Sequence, residues 1–135
     1  MNNSDARAVD WPALKAAALA AQARAHAPYS EYRVGAALLT EGGEIIGGCN
    51  IENATYGATC CAEQTAVFSA VAQGHTSFRA LAVVTQGPEP GTPCGICRQV
   101  LAEFALDLEI LCFTASGAEA RYTLDALLPN AFRLK

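Results

Sequence analysis

The chain has 135 residues, of which 52% are hydrophobic and only 16% charged, with a mean hydropathy of +0.19. That is enough apolar material for one core, in a single domain spanning residues 1–135, and so few charges predict further burial between subunits. A net charge of −4 and a pI of about 5.0 leave no overall basic field for a phosphate backbone, which disfavours polynucleotides as substrates.

Residues 1–9 read as a flexible tail, polar and acidic, without the basic and apolar blocks of a secretory signal. Arg, Gln or Glu interrupts every apolar stretch, so no membrane span is expected. Six cysteines could form three disulfides in a secreted protein. Without a signal the expected location is the reducing cytoplasm, where Cys-x-x-Cys binds metal or does redox work.

Asp10 can cap a helix that opens at Trp11-Pro12 and runs to about Ala27, ending at Pro28. Leu14, Ala17, Ala18, Ala21 and Ala25 recur at helical spacing, a small-residue face suited to close packing on a sheet. Val34 to Leu39 reads as a buried strand, 41–44 as a hairpin turn and Ile45 to Cys49 as the returning strand. Asn50-Ile51-Glu52-Asn53 follows at the strand end, where such side chains either cap turns or bind ligand.

Thr59 to about Gln73 is helical, with Ala62, Ala66, Val67, Ala70 and Val71 on one face and Gly74 as its stop. Ala80 to Val84 is a continuous apolar run, the pattern of a central strand covered on both faces. After a Pro/Gly loop, Cys94 to about Ala105 is amphipathic. Leu108 to Phe113 is another strand, and Thr123 to Leu128 a short helix. The expected fold is a three-layer α/β/α domain with a mixed central sheet of about five strands.

Two stretches carry the chemistry: Cys61-Ala62-Glu63 and Pro93-Cys94-Gly95-Ile96-Cys97, each at an expected helix start. Cys94 and Cys97 share one helical turn and aim both sulfurs at one point. A third thiol, 33 residues upstream and two residues before an acid, favours zinc over disulfide exchange. With three thiolates, zinc keeps a fourth position for water, and Glu63 is placed to move that water's protons. Helix N-termini offset the charge of the thiolates through their dipoles and free N–H groups. Cys60 competes with Cys61 for the ligand position; the Cys-Ala-Glu register favours Cys61. Cys49 and Cys112 read as small buried hydrophobes, and His26 and His75 as surface or capping residues.

The sequence closely resembles the cytidine deaminases of the short, three-cysteine, homotetrameric class. The likeness rests on Ala27-Pro28-Tyr29-Ser30, Val34 to Leu39, Gly48 to Asn53, Cys61-Ala62-Glu63, Pro93 to Gln99 and Leu127-Leu128-Pro129. The Pro-Cys-x-x-Cys half is the established signature of zinc deaminases. The resemblance implies hydrolytic deamination of cytidine and deoxycytidine for pyrimidine salvage, with one Zn²⁺ per subunit. Cys61, Cys94 and Cys97 match the zinc ligands, Glu63 the proton shuttle, and Asn50 and Glu52 the ribose-binding pair. Tyr32 stands where the family has a Phe against the pyrimidine, and the backbone around Ala62 matches the base-binding edge. Ala54, Tyr56 and Phe132 match segments that complete a neighbouring subunit's pocket in a homotetramer.

One position departs from the family pattern. Gln64 replaces the usual Arg after Cys-Ala-Glu, so N–H donation to the thiolates remains while the positive charge is lost. Arg98, directly after Cys97, is the candidate to compensate. Deaminases of nucleoside antibiotics such as blasticidin S can also lack that Arg, which makes a modified cytosine nucleoside the alternative substrate. A structural zinc module is the alternative outside enzymes, and it lacks a suitably spaced fourth Cys or His.

Overall fold

Asp10 opens the first helix as its side chain requires: the carboxylate accepts the Ala13 N–H at 3.1 Å, and Pro12 lies in the first turn of α1, Trp11–Gln22. The computed structural model describes residues 8–134. Of the expected tail, residues 1–7 lie outside the described residues, and Val9 packs with Trp11 against the core. The helix stops at Gln22 instead of running to Ala27. Downstream, the His26 N–H donates to the Asn50 carbonyl and the His26 carbonyl accepts from the Glu52 N–H. That stretch bridges to Ile51, a use of the backbone that competes with the helix.

Strands β1 (Gly35–Thr40), β2 (Ile45–Cys49), β3 (Phe78–Thr85), β4 (Glu109–Thr114) and β5 (Glu119–Thr123) form one mixed sheet in the order β2-β1-β3-β4-β5. Only β3 and β4 run parallel. Their connection is the crossover that parallel pairing demands, and it contains α3, Gly95–Ala102. Helix α2 covers Ala62–Ala72, shorter at its start than the Thr59 expectation because Tyr56–Ala58 form a separate 3₁₀ turn. Gly74, at φ +97°, follows its end as expected. The short helix α4 covers Leu124–Leu127.

Alternation along the strands divides the core. Ala37, Leu39, Ala80, Ala82, Val84 and Phe113 face α1 with Leu14 and Ala18. Ala36, Leu38, Leu81, Val83, Ile110 and Cys112 face the layer of α2 and α3. Strands β1 and β3 are buried on both faces, so their continuous apolar runs announced them. Strand β5 was not located in the chain beforehand. It is a sheet edge of sequence Glu-Ala-Arg-Tyr-Thr with no fully buried residue, so it carries no hydrophobic signal.

One close approach positions the chemistry. A Cβ on Gly48 of β2 would lie 2.4 Å from the Ala66 nitrogen and 2.6 Å from the Ala62 carbonyl. Glycine there lets the first turn of α2, with Ala62 and Glu63, lie flat on the sheet. Among the described residues, no helix is long and apolar enough to cross a membrane.

Candidate active site

Cys61 and Cys94 are the N-cap residues of α2 and α3, so each begins a helix whose first N–H groups are free for ligands. Cys97 lies one turn into α3 and its N–H donates to the Cys94 sulfur at 3.5 Å. The Cys61 and Cys94 sulfurs are 3.8 Å apart, those of Cys94 and Cys97 3.3 Å, and all three lie within 4.8 Å of one another. Three sulfurs bound tetrahedrally at about 2.3 Å from one zinc would stand about 3.8 Å apart, so the cluster needs only small adjustments to hold that ion. Soft thiolates suit zinc as well. Cys60 is not in the group, and no fourth His, Cys, Asp or Glu joins it among the described residues.

The thiols share their protons unequally. Hydrogen bonding from Cys97 is the chief cause that lowers Cys61 to about 6; burial opposes it and Cys94 assists. Cys97 is pushed up, first by that same bond, then by burial and the charge of Glu63. The Gln64 amide donates to the Cys97 sulfur at 3.4 Å and favours its thiolate, the N–H donation foreseen for this residue.

Glu63, in the first turn of α2, is only 5% exposed. Burial is the main cause that lifts its carboxyl to about 7; its backbone hydrogen bond opposes the shift and the charge at Cys61 adds to it. Glu63, Cys61, Ala62 and Cys94 line a cavity of about 330 Å³ together with Tyr32, Asn50, Glu52 and Thr59. Family-matched residues from positions 32 to 94 thus share one space of ligand size.

Asn50 and Glu52 turn out to hold backbone as well as face the cavity. Asn50 accepts from the Val34 N–H at 2.9 Å and donates to the Tyr32 carbonyl at 2.8 Å. Glu52 accepts from the N–H groups of Tyr29 and Ser30, at 2.9 and 3.1 Å, and from the Ser30 hydroxyl. The turn-capping and ligand-facing readings of these residues are therefore compatible. The hydrogen bond from the Ser30 hydroxyl is the main cause that lowers the Glu52 pKa from its ordinary value.

Ala54, Tyr56 and Phe132 do not line this cavity. Tyr56 is 85% exposed and Phe132 67%. Arg98 donates to the carbonyls of Pro93 and Leu127, at 2.7 and 2.8 Å, and to the Thr92 hydroxyl at 3.1 Å. Its guanidinium ties the loop before Cys94 to α4, and none of its hydrogen bonds goes to a ligand sulfur.

Cys112 is fully buried, as expected of a small hydrophobe, and burial lifts its thiol to about 12; Cys49 is only half-buried. His26 is exposed, and His75 lies 3.9 Å from a Glu44 carboxylate oxygen. Thr59, Thr85 and Thr92 line the cavity without having been singled out. No local pattern distinguishes a threonine that faces a ligand from one in an ordinary turn.

A three-layer α/β/α fold with three thiols gathered at two helix starts defines a zinc-binding domain of the deaminase type. The family model for the cytidine and deoxycytidylate deaminase zinc-binding region matches residues 12–112. The chain belongs to this family, and its three-sulfur cluster fits one zinc ion. It is 50% identical over 113 residues to the cytidine deaminase of Sporosarcina psychrophila, a match covering 83% of each chain. The crystal structure of cytidine deaminase from Burkholderia pseudomallei superposes with a TM-score of 0.88 at 46% identity, covering 92% of this chain and 100% of that one. A blasticidin-S deaminase from Bacillus cereus is less similar, 32% identical over 108 residues, covering 74% of this chain and 76% of its own.

Proposed function

We infer that the protein hydrolyses cytidine and deoxycytidine to uridine and deoxyuridine with release of ammonia, a pyrimidine-salvage reaction. The observation that carries this reading is the buried Glu63 beside three clustered sulfurs at one cavity, in a chain half identical to a cytidine deaminase. Cys61, Cys94 and Cys97 would hold the zinc. When bound, the ion supplies Lewis acidity and makes water a competent nucleophile at neutral pH.

The chain's own residues do the rest. Glu63, screened from bulk solvent, takes a proton as water adds at C4 of the base and returns it to the amino group, which leaves as ammonia. The C4–N bond breaks and a C4 carbonyl remains, so atoms balance with one water consumed. The backbone at Ala62 meets the edge of the base, and the Tyr32 ring lies against its face. Asn50 retains one N–H and one lone pair, and Glu52 at least one lone pair, after their backbone contacts; these would bind the ribose hydroxyl.

The same reading makes the chain one deaminase domain acting in the cytoplasm as a homotetramer. Ala54, Tyr56 and Phe132 would complete a neighbour's site, and their exposure supports that role. The substrate is distinguished by the loss of absorbance when cytidine, deoxycytidine and blasticidin S are supplied separately. Cytidine and deoxycytidine are expected to react with the higher kcat/KM. Turnover of blasticidin S alone would replace the proposed substrate, and turnover of none would leave a zinc-binding module.

A further inference from the structure

Tyr32 hangs from a segment that has no regular structure. Between Pro28 and β1 the chain makes neither helix nor strand, and Glu31 adopts φ +58°, the left-handed region that non-glycine residues rarely enter. An irregular segment must find partners for its backbone groups outside itself. Glu52 accepts the N–H groups of Tyr29 and Ser30, and Asn50 bonds the Tyr32 carbonyl and both backbone groups of Val34. Two more partners come from outside the cavity: Gln22 of α1 donates to the Arg33 carbonyl at 3.1 Å, and Gln86 accepts the Arg33 N–H at 2.6 Å.

Gln86 makes a second contact of a different kind. Its backbone carbonyl accepts from the Tyr32 hydroxyl at 3.4 Å. One residue, directly after β3, thus holds both the backbone beside Tyr32 and the tip of the Tyr32 ring. Gln86 itself lies outside the group of residues lining the substrate cavity.

We propose that the Gln86 side chain is a positioning element for substrate binding: by accepting the Arg33 N–H it fixes the backbone beside Tyr32, and so where the Tyr32 ring stands over the cavity. The bond from the Tyr32 hydroxyl to the Gln86 backbone carbonyl is common to every side-chain variant. This rests on the deaminase reading, in which that ring meets the pyrimidine. Gln86 is exposed, so water replaces it readily as an acceptor when it is removed. Water satisfies the Arg33 N–H without fixing its place. The segment then pays its ordering entropy each time substrate binds, which weakens binding and leaves the proton transfers at Glu63 untouched.

The test is steady-state kinetics of cytidine deamination by the zinc-loaded protein and its Gln86→Ala, Gln86→Asn and Gln86→Glu variants, with Tm measured for each. Gln86→Asn keeps the amide but is one methylene too short for the Arg33 N–H; Gln86→Glu keeps an acceptor at full length. Gln86→Ala and Gln86→Asn are expected to raise KM about 3- to 10-fold with kcat within about twofold. Gln86→Glu is expected to restore KM to within about twofold of the parent. An unchanged KM in Gln86→Asn overturns the proposal, as does a Gln86→Glu variant no better than Gln86→Asn. A fall in kcat and Tm at constant KM overturns it too, because that is the mark of a purely structural residue. Should Gln86→Ala fail to fold, the Asn and Glu pair decides alone. A parent protein inactive on cytidine would refute the deaminase reading, a separate outcome from an active parent whose variants match it.

Discussion

At the residue scale, Gln64 concentrates what is unusual about this site. Its amide reaches the Cys97 sulfur at 3.4 Å, so the N–H bond that a family Arg would offer is kept and the charge is not. Arg98 does not replace that charge directly, because its donors are committed to Pro93, Leu127 and Thr92. The site is left electron-rich, and Gln64→Arg is expected to change kcat or zinc retention by about two- to tenfold. Equal kcat, pH profile and zinc affinity in the two proteins would dismiss the idea. The sulfurs and Glu63 were legible in the sequence because ligand chemistry restricts residue type and spacing so tightly. The double duty of Asn50 and Glu52 was not, since a polar side chain at a strand end does not say which backbone groups it will meet.

Glu52 also offers a pH test at this scale. Its carboxyl is held below the usual carboxylate range in the folded protein, chiefly because the Ser30 hydroxyl donates to it. A lowered folded pKa stabilises the fold above the unfolded value, and that contribution is lost as pH falls through the folded value. Ser30→Ala is therefore expected to lower Tm slightly at pH 7, and the deficit is expected to shrink in acid. Some deficit remains because the Ser30 oxygen also accepts the Tyr32 N–H at 3.0 Å. A difference that grows on acidification would contradict the assignment.

At the element scale, two glycines divide the fold into a half that carries the chemistry and a half that supports it. A Cβ on Gly48 would collide with the α2 backbone at Ala62 and Ala66; one on Gly35 would meet the Ala18 carbonyl of α1 at 2.1 Å. Each substitution to alanine is expected to cost about 1–3 kcal/mol as overpacking. Only Gly48→Ala pushes on the turn that carries Cys61 and Glu63, so it should also lose zinc when equilibrated with a chelator. Gly35→Ala should show the Tm loss with near-normal zinc retention, and equal zinc loss in both would refute the distinction. The elements themselves were readable wherever the apolar pattern was strong, as in the unbroken run of β3 and the recurring small apolar residues of α2. The end of α1 was set by a distant bridge to Ile51, and β5 by edge pairing with β4, neither of which leaves a local mark.

At the scale of the whole molecule, the low charge content matches a surface on which large apolar side chains remain exposed. Tyr29, Tyr56, Phe68, Ile96, Phe132 and Leu134 are each more than half exposed. In the proposed homotetramer, further copies would cover Tyr56 and Phe132. Sedimentation equilibrium is expected to give four times the 14.1 kDa chain mass, and Tyr56→Ala is expected to lower activity as well as assembly. A stable, fully active monomer would remove Tyr56 and Phe132 from any shared site. The layered fold was foreseeable from the alternation of strands and helices; the proposed role of its exposed aromatics rests on the family resemblance alone, because one chain's sequence does not encode symmetry directly.

The deaminase reading depends on three sulfurs gripping one metal beside a buried acid. The most direct measurement is zinc content and cytidine turnover on the same purified sample, before and after chelation and after zinc is returned. The account predicts one zinc per chain, loss of turnover with the metal, and recovery on reconstitution. Protein free of zinc that converts cytidine at the full rate would contradict it.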